Sequence, residues 1–248
     1  MRTVVVGASS GLGRSIGLGL AARGHEVALL ARQRERLVEA ADEAGAGAMA
    51  VACDVTDENA CREAVAEVVA TMGGIDALVY ATGVGVLGRL ADLDAAAWAR
   101  SFATNVTGAA LVTAAALPHL AESHGTAAYL SSVSASMTPP WPGLGAYVVS
   151  KAALDKLVEA WRVEQPDVGF TRLAVGDCGG GEGASATEFT ADWDEALMGE
   201  FGLQWFERGL VSGSLIDVDE LVRVVELILG GGATASLPVV AVTPRPAG

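Results

Sequence analysis

A parallel α/β sheet covered by helices on both faces is the fold class that this 248-residue sequence predicts. Three observations predict it. Short apolar runs alternate with helix-length stretches along the chain. The first apolar run ends in a glycine-rich turn that opens directly into a helix. Small residues dominate as well: 31 are glycine, and alanine and valine supply much of the 51 % apolar share, so helices can sit close to a sheet.

Taken in order, residues 3–6 read as a short buried strand that ends at Gly7, and 12–22 have helical periodicity. Residues 25–30 form a second strand and 34–44 a second helix rich in Glu and Ala. Residues 48–53 are a third strand, followed by a helix whose N-cap is Thr56 or Asp57. A fourth strand covers 76–80. One long Ala-rich helix is expected over 95–120, closed near Pro118. A strand at 126–130, a helix at 146–161 and a strand at 168–175 follow. The pattern loosens after Gly176, where Gly179, Gly180, Gly181 and Gly183 mark a flexible stretch. Residues 193–207 read as one or two amphipathic helices, 217–229 as a final helix and 237–242 as the last strand. No internal repeat or linker is evident, so one domain is expected, with 178–212 as an irregular insertion above the sheet.

Composition narrows the function. Thirty acidic residues against 16 basic ones give a net charge of −14. That surface repels phosphate backbones and anionic lipid, so neither nucleic acid nor membrane is an expected partner. Aromatic residues make up only 5 % and no basic cluster accompanies them, which argues against a nucleic-acid platform. Cys53, Cys61 and Cys178 show no metal or redox spacing, and no histidine joins them in a ligand pattern, so no metal site is expected. The opening apolar run is far too short for a leader or a membrane span. A cytoplasmic location is expected.

The turn Gly7-Ala8-Ser9-Ser10-Gly11-Leu12-Gly13 carries the first chemistry. A glycine-rich strand–turn–helix lets the backbone approach a pyrophosphate, whose charge is met by amides at the helix N-terminus. Its G-x-x-x-G-x-G spacing differs from the commoner G-x-G-x-x-G. At the end of the second strand an acid would bind a free ribose 2′-hydroxyl; here stand Ala31-Arg32-Gln33-Arg34. Arg32 could pair with a 2′-phosphate, helped by Arg14, so NADP(H) is expected in preference to NAD(H). Asp54, before Val55, either reaches the adenine amino group or caps the following helix.

Only two lysines occur, Lys151 and Lys156, and only three tyrosines. Tyr147 and Lys151 are four apart in a predicted helix and so share a face. A phenol that titrates near 10 needs help to exchange a proton near neutrality, and a close ammonium favours its ionised form. That combination suits carbonyl reduction, in which hydride reaches carbon and a proton reaches oxygen. The fifth strand ends in Ser131-Ser132-Val133-Ser134, where a hydroxyl points into the ligand crevice of an open α/β sheet and could steady the carbonyl oxygen. Asn105 is out of character inside a long helix. It holds a water or a backbone carbonyl there, or kinks the helix.

Together these residues resemble the short-chain dehydrogenase/reductase family, over nearly the whole chain. The glycine turn, Asp54, the Ala81-Thr82-Gly83 step, Asn105, Ser132 and Tyr147-x-x-x-Lys151 fall in the family's order. The resemblance implies a Rossmann-like doubly wound parallel sheet of about seven strands. It implies a dimer or tetramer, such as a homotetramer, built on the helices at 95–120 and 146–162. Tyr147 would be the acid/base, Lys151 would lower its pKa and bind ribose, Ser132 would position the substrate oxygen, and Asn105 would support a proton-relay water. Gly7, Ser9, Ser10, Gly11, Leu12, Gly13, Asp54, Val55, Ala81 and Gly83 would join Arg32 in holding the cofactor. The chain departs from the family pattern at Thr82, where Asn is usual, and at Gly176-Asp177, where Pro-Gly is usual. The stretch between Ser132 and Tyr147 is lengthened, which leaves Ser134 a rival for the serine role. Asp177 either meets a polar substrate or caps the glycine loop. Trp141, Trp193, Trp205 and Phe206 either line an apolar pocket or belong to the core or an interface. The expected function is interconversion of a carbonyl and an alcohol on a small molecule; the alternative is a cofactor-binding sensor or scaffold without turnover.

Overall fold

The computed structural model describes residues 1–181, 183–211, 213–231 and 235–245. Among the described residues, seven parallel strands form one sheet in the order β3-β2-β1-β4-β5-β6-β7. They are β1 (Arg2–Val6), β2 (Glu26–Ala31), β3 (Ala48–Ala52), β4 (Ala77–Tyr80), β5 (Thr126–Ser132), β6 (Gly169–Val175) and β7 (Val239–Val242). The fold is thus the doubly wound Rossmann-like sheet expected. Strand order reverses beside β1, whose two neighbours are β2 and β4. A crevice opens there beyond the carboxyl ends of the strands, the usual ligand position in such sheets.

Alternation along each strand divides the core in two, because successive side chains point to opposite faces. Val4, Val6, Leu30, Leu78, Tyr80 and Tyr129 face one side, where they meet α3 (Glu58–Met72), α5 (Gly108–Glu122) and α7 (Gly145–Glu164) through Val65, Val112 and Leu154. Val5, Leu29, Val79, Ala128 and Leu130 face the other. There they meet α1 (Gly11–Ala22), α2 (Arg34–Ala44) and α9 (Val218–Leu229) through Ile16, Leu37 and Val225. A third cluster caps the crevice edge. In it α8 (Glu195–Glu207) brings Phe201 and Trp205 against Leu144 and Val148.

Three boundaries differ from expectation. The helix expected over 95–120 is interrupted: α4 (Ala95–Phe102) passes into a π turn at Ala103–Thr107 before α5 resumes. A π turn inserts one residue and re-aims the side chain it carries, which here is Asn105. Pro118 does not close α5, which runs on to Glu122. The last strand begins at Val239, two residues later than expected. Asp57, one of the two expected caps, is the N-cap of α3, accepting from the amides of Asn59 and Ala60. A four-residue helix, α6 (Val133–Ser136), follows β5 directly and bends the chain at the serines.

Candidate active site

The glycine turn is built by close backbone approach. A Cβ on Gly13 would lie 2.1 Å from the carbonyl oxygen of Gly7, so only glycine lets α1 start this near the turn. Gly7 has φ +87° and a Cβ there would meet Thr82 at 2.6 Å; Gly11 has φ +56°. Ser9, Ser10 and Leu12 are half-buried on the same turn. Ala81 reaches across to it, donating from its amide to the oxygen of Val6 at 2.9 Å.

Gly83 marks where this turn meets the polar cluster. Its Cβ position is 3.2 Å from Lys151 Nζ and 3.4 Å from Asn105 Oδ1. Asn105 is fully buried and uses its whole amide on protein. Its Nδ2 donates to Val84 O at 2.9 Å and to Ser150 Oγ at 2.8 Å, while Oδ1 accepts from Val84 N at 2.8 Å. Ser150 Oγ in turn donates to the carbonyl of Tyr147 at 2.7 Å. The side chain therefore braces the loop after β4 against α7, which is the backbone-holding alternative of the sequence reading.

Tyr147 and Lys151 do share a face of α7, and the ammonium lies 5.8 Å from the ring centroid. Lys151 Nζ donates to Leu130 O at 2.7 Å. Burial governs both groups. It pushes the Tyr147 phenol up to about 12, against the lowering effect of a hydrogen bond with Ser132, and brings the Lys151 ammonium down to about 8, against the attraction of Asp155. Desolvation is the larger of the two influences on the phenol. Ser132, not Ser134, makes the hydrogen bond to the phenol. Ser134 stands behind it, with the two Oγ atoms 2.8 Å apart.

Other expected residues are distributed unevenly. Arg32 is exposed at the end of β2 and attracts Asp54, whose Oδ1 accepts from the amide and hydroxyl of Thr56; these hydrogen bonds hold its carboxyl below the usual range. Val55 is buried beside Gly108. Arg14 is buried beneath the start of α2, donating to Glu43 at 2.7 Å and to the Arg36 carbonyl at 3.1 Å. Trp141 lines a cavity of about 230 Å³ beside Val133, Met137, Gly176 and Asp177. Trp193 donates to Gly85 O and Trp205 to Pro142 O, both at 2.8 Å, whereas Phe206 is on the surface.

Comparison with known proteins identifies the family. Residues 2–182 match the family model described as short chain dehydrogenase. The chain belongs to the short-chain dehydrogenase family. A short chain dehydrogenase of Pseudocercospora fijiensis is 35 % identical over 177 residues, which are 69 % of this chain and 57 % of the relative. The 11-beta-hydroxysteroid dehydrogenase A of Sesamum indicum is 34 % identical over 179 residues, 70 % of this chain and 51 % of that one. The chain thus spans about half the length of these curated relatives. A short-chain dehydrogenase structure from Streptomyces avermitilis aligns with a TM-score of 0.80 and 27 % identity, covering 97 % of this chain and 87 % of the other. An alcohol dehydrogenase from the archaeon Thermococcus sibiricus shares the fold at a TM-score of 0.80 with 24 % identity, over 97 % and 95 % of the two chains.

Within this short-chain dehydrogenase frame, one segment escaped the sequence reading. Residues 183–189 fold back across the glycine turn. Thr187 Oγ1 is 3.4 Å from the Cβ position of Gly11, and Glu188 is bonded to Gln33 and Arg36. Phe189 packs edge-on against Tyr147 with ring centroids 5.1 Å apart. Gly85 gives it room, since a Cβ there would fall 2.3 Å from that ring. An aromatic residue in a glycine-rich stretch was the one available signal. Its partner lies 42 positions away in sequence, beyond the reach of any local pattern.

Proposed function

We propose that this chain is a nicotinamide-dependent oxidoreductase that interconverts a carbonyl and an alcohol on a small molecule, with NADP(H) preferred over NAD(H). The observation that carries the reading is the meeting of Tyr147, Ser132 and Lys151 at the crevice edge, next to a turn where a Cβ on Gly7 or Gly13 would strike backbone. Membership of the short-chain dehydrogenase family supports it, as does the naming of relatives as dehydrogenases.

The residues present fit a dinucleotide. Gly7, Gly11 and Gly13 keep side chains away from the start of α1, where Ser9, Ser10 and Leu12 complete a cradle for pyrophosphate. Arg32 at the end of β2 stands where an acid would select an unphosphorylated ribose. Asp54, Val55, Ala81 and Gly83 border the same crevice. The nicotinamide, when bound, supplies or accepts hydride at the substrate carbon. Tyr147 holds the proton that passes to the carbonyl oxygen, Ser132 donates a hydrogen bond to that oxygen, and Lys151 favours the charge left on the phenol. Asn105 keeps the loop and α7 in register.

We read the chain as one domain in which 178–212 forms the substrate side of the crevice. The apolar cavity bounded by Trp141, Val133 and Met137 favours a carbonyl compound with an apolar body. The helices at 95–120 and 146–162 would supply a homodimer or homotetramer interface. No helix among the described residues is long and apolar enough to cross a membrane.

The test is loss of reduced-nicotinamide absorbance with a panel of ketones, using NADPH and NADH in parallel. Turnover with NADPH that drops at least about a hundredfold in Tyr147→Phe supports the reading. Turnover that survives the phenylalanine refutes the mechanism, and dinucleotide binding without any turnover in the wild type would leave a sensor or scaffold instead. Equal use of NADH, or a preference unchanged in Arg32→Asp, refutes the cofactor preference.

A further inference from the structure

We infer that Glu188 is a built-in competitor for the anion-binding groups at the end of β2, displaced by the 2′-phosphate of the cofactor's adenosine. The inference rests on the dinucleotide reading above. Gln33 and Arg36 begin the helix that follows β2, the place where an open α/β sheet of this type receives the adenosine ribose. Both already hold an anion. Gln33 Nε2 donates to one carboxylate oxygen of Glu188 at 3.3 Å, and the Arg36 guanidinium pairs with the other.

A phosphate suits these donors better than the carboxylate does. It carries between one and two negative charges near neutrality and offers three acceptor oxygens to a planar guanidinium. The site is also built from beneath. Arg14, buried and fixed by Glu43, donates to the carbonyl of Arg36 at 3.1 Å and so sets the start of α2. Its Nε is buried without a hydrogen-bond partner, and Arg14 lines a cavity of about 380 Å³ together with Arg36, Glu39, Thr187 and Glu188. An anion settling there meets donors that the protein alone leaves incompletely used.

The neighbours of Glu188 give the exchange a consequence. Thr187 touches Gly11 of the pyrophosphate cradle, and Phe189 packs on Tyr147. Three consecutive residues therefore contact the two ends and the middle of the cofactor crevice. Freeing the Glu188 carboxylate loosens the strap over the turn and over the tyrosine together. A cofactor without the 2′-phosphate has no group that takes over the donors of Glu188, so it leaves that carboxylate and the strap in place.

Binding of 2′,5′-ADP and of ADP, followed by calorimetry, tests this without requiring turnover. Glu188→Gln is expected to bind 2′,5′-ADP roughly three- to fivefold more tightly, the scale of one exposed ion pair, with ADP unchanged. Arg36→Gln is expected to weaken 2′,5′-ADP and leave ADP alone. In the wild type, 2′,5′-ADP but not ADP should shift the emission of Trp193, whose ring lies 5.3 Å from Phe189, and Trp193→Phe should remove that shift. Glu188→Gln that tightens neither ligand, or both equally, overturns the inference while the dinucleotide reading stands. Weaker ADP binding in Glu188→Gln also overturns it, because Glu188 would then be a ribose ligand. A wild type that binds neither compound sinks the dinucleotide reading and this inference with it. Melting temperatures of each variant serve as the folding control.

Discussion

The ammonium of Lys151 lies 5.8 Å from the centre of the Tyr147 ring, yet its hydrogen bond goes to the main-chain oxygen of Leu130, at 2.7 Å. The lysine lies beside the phenol on one face of α7 and is anchored to β5, not to the tyrosine. Burial sets the phenol near 12 and the ammonium near 8, so at neutral pH the pair is a protonated phenol beside a charged ammonium. That is the state from which a proton can be given to a carbonyl oxygen.

The pH dependence of reduction follows. The alkaline limb should belong to the lysine, because it loses its charge about four units before the phenol ionises. We expect kcat/KM for carbonyl reduction to be level up to about pH 8 and to decline above it. Lys151→Arg keeps its charge far beyond that range and should move the decline upward, although a bulkier head group lowers kcat. Profiles of the two enzymes with one ketone decide the matter; a limb that stays in place in Lys151→Arg shows that another group titrates.

Lysine burial also predicts a stability effect of definite sign. In the unfolded chain the ammonium titrates near 10.5, so between about 8 and 10.5 the unfolded state binds more protons than the folded one. Folding is then favoured as pH rises through that window. Relative to Lys151→Met, the wild type should gain at most about 3 kcal/mol between pH 8 and 10.5, and nothing below it. Urea unfolding of both proteins across the window measures the difference.

Glycine at position 13 is required by a backbone atom, which cannot move aside as a side chain can. Gly13→Ala would place Cβ 2.1 Å from Gly7 O and should cost about 2–3 kcal/mol, with loss of ADP binding. Gly199 offers the contrast. It is exposed inside α8 with nothing within 4 Å of its Cβ position, so Gly199→Ala should add about 0.5–1 kcal/mol through helix propensity alone. Denaturant midpoints of the two variants should move in opposite directions.

The legible parts of this protein are those with short-range causes. Valines 4 to 6 announce a strand buried on both faces, and the turn from Gly7 to Gly13 announces a helix start, because each pattern lies within ten residues. Tyr147 and Lys151 were readable as a pair because helical spacing alone puts them together. What escaped depends on distant contacts. Nothing near Arg14 says that Glu43, 29 positions on, will pair with it, or that it will brace the start of α2 through the Arg36 carbonyl. Asn105 was conspicuous in an Ala-rich helix, but its π turn follows from Val84 and Ser150 bonding its amide. The ring that packs on Tyr147 belongs to Phe189, in a stretch whose glycines suggested only flexibility.

Asn105 is expected to be a structural keystone with a catalytic readout. Asn105→Ala strands Val84 N, Val84 O and one bond of Ser150 in a buried setting, a cost of about 2–3 kcal/mol. Asn105→Asp supplies the acceptor for Val84 N but no donor for Val84 O, and should be no better. Both should lower kcat more than they raise the dissociation constant for ADP, since the glycine turn is untouched. Thermal melts and steady-state kinetics on the same samples separate the two effects.

Phe189 should set how wet the tyrosine is. Its ring packs edge-on at 5.1 Å and is itself held by Trp193, so it excludes water from one side of the phenol. Phe189→Ala removes that cover. Desolvation is the main cause of the raised phenol, so hydration should bring Tyr147 down from about 12 towards 10. Tyr80 and Tyr129 are fully buried and held high as well, which leaves Tyr147 the one tyrosine of the three whose titration the variant should change. Ultraviolet titration of the phenolate band, with Tyr147→Phe subtracted as the blank, follows that group directly. The same opening should admit bulkier ketones at a lower kcat, as a wetter site weakens the hydrogen bonds on the carbonyl oxygen. A phenol that still titrates near 12 in Phe189→Ala would mean that the sheet and α7 alone keep it dry.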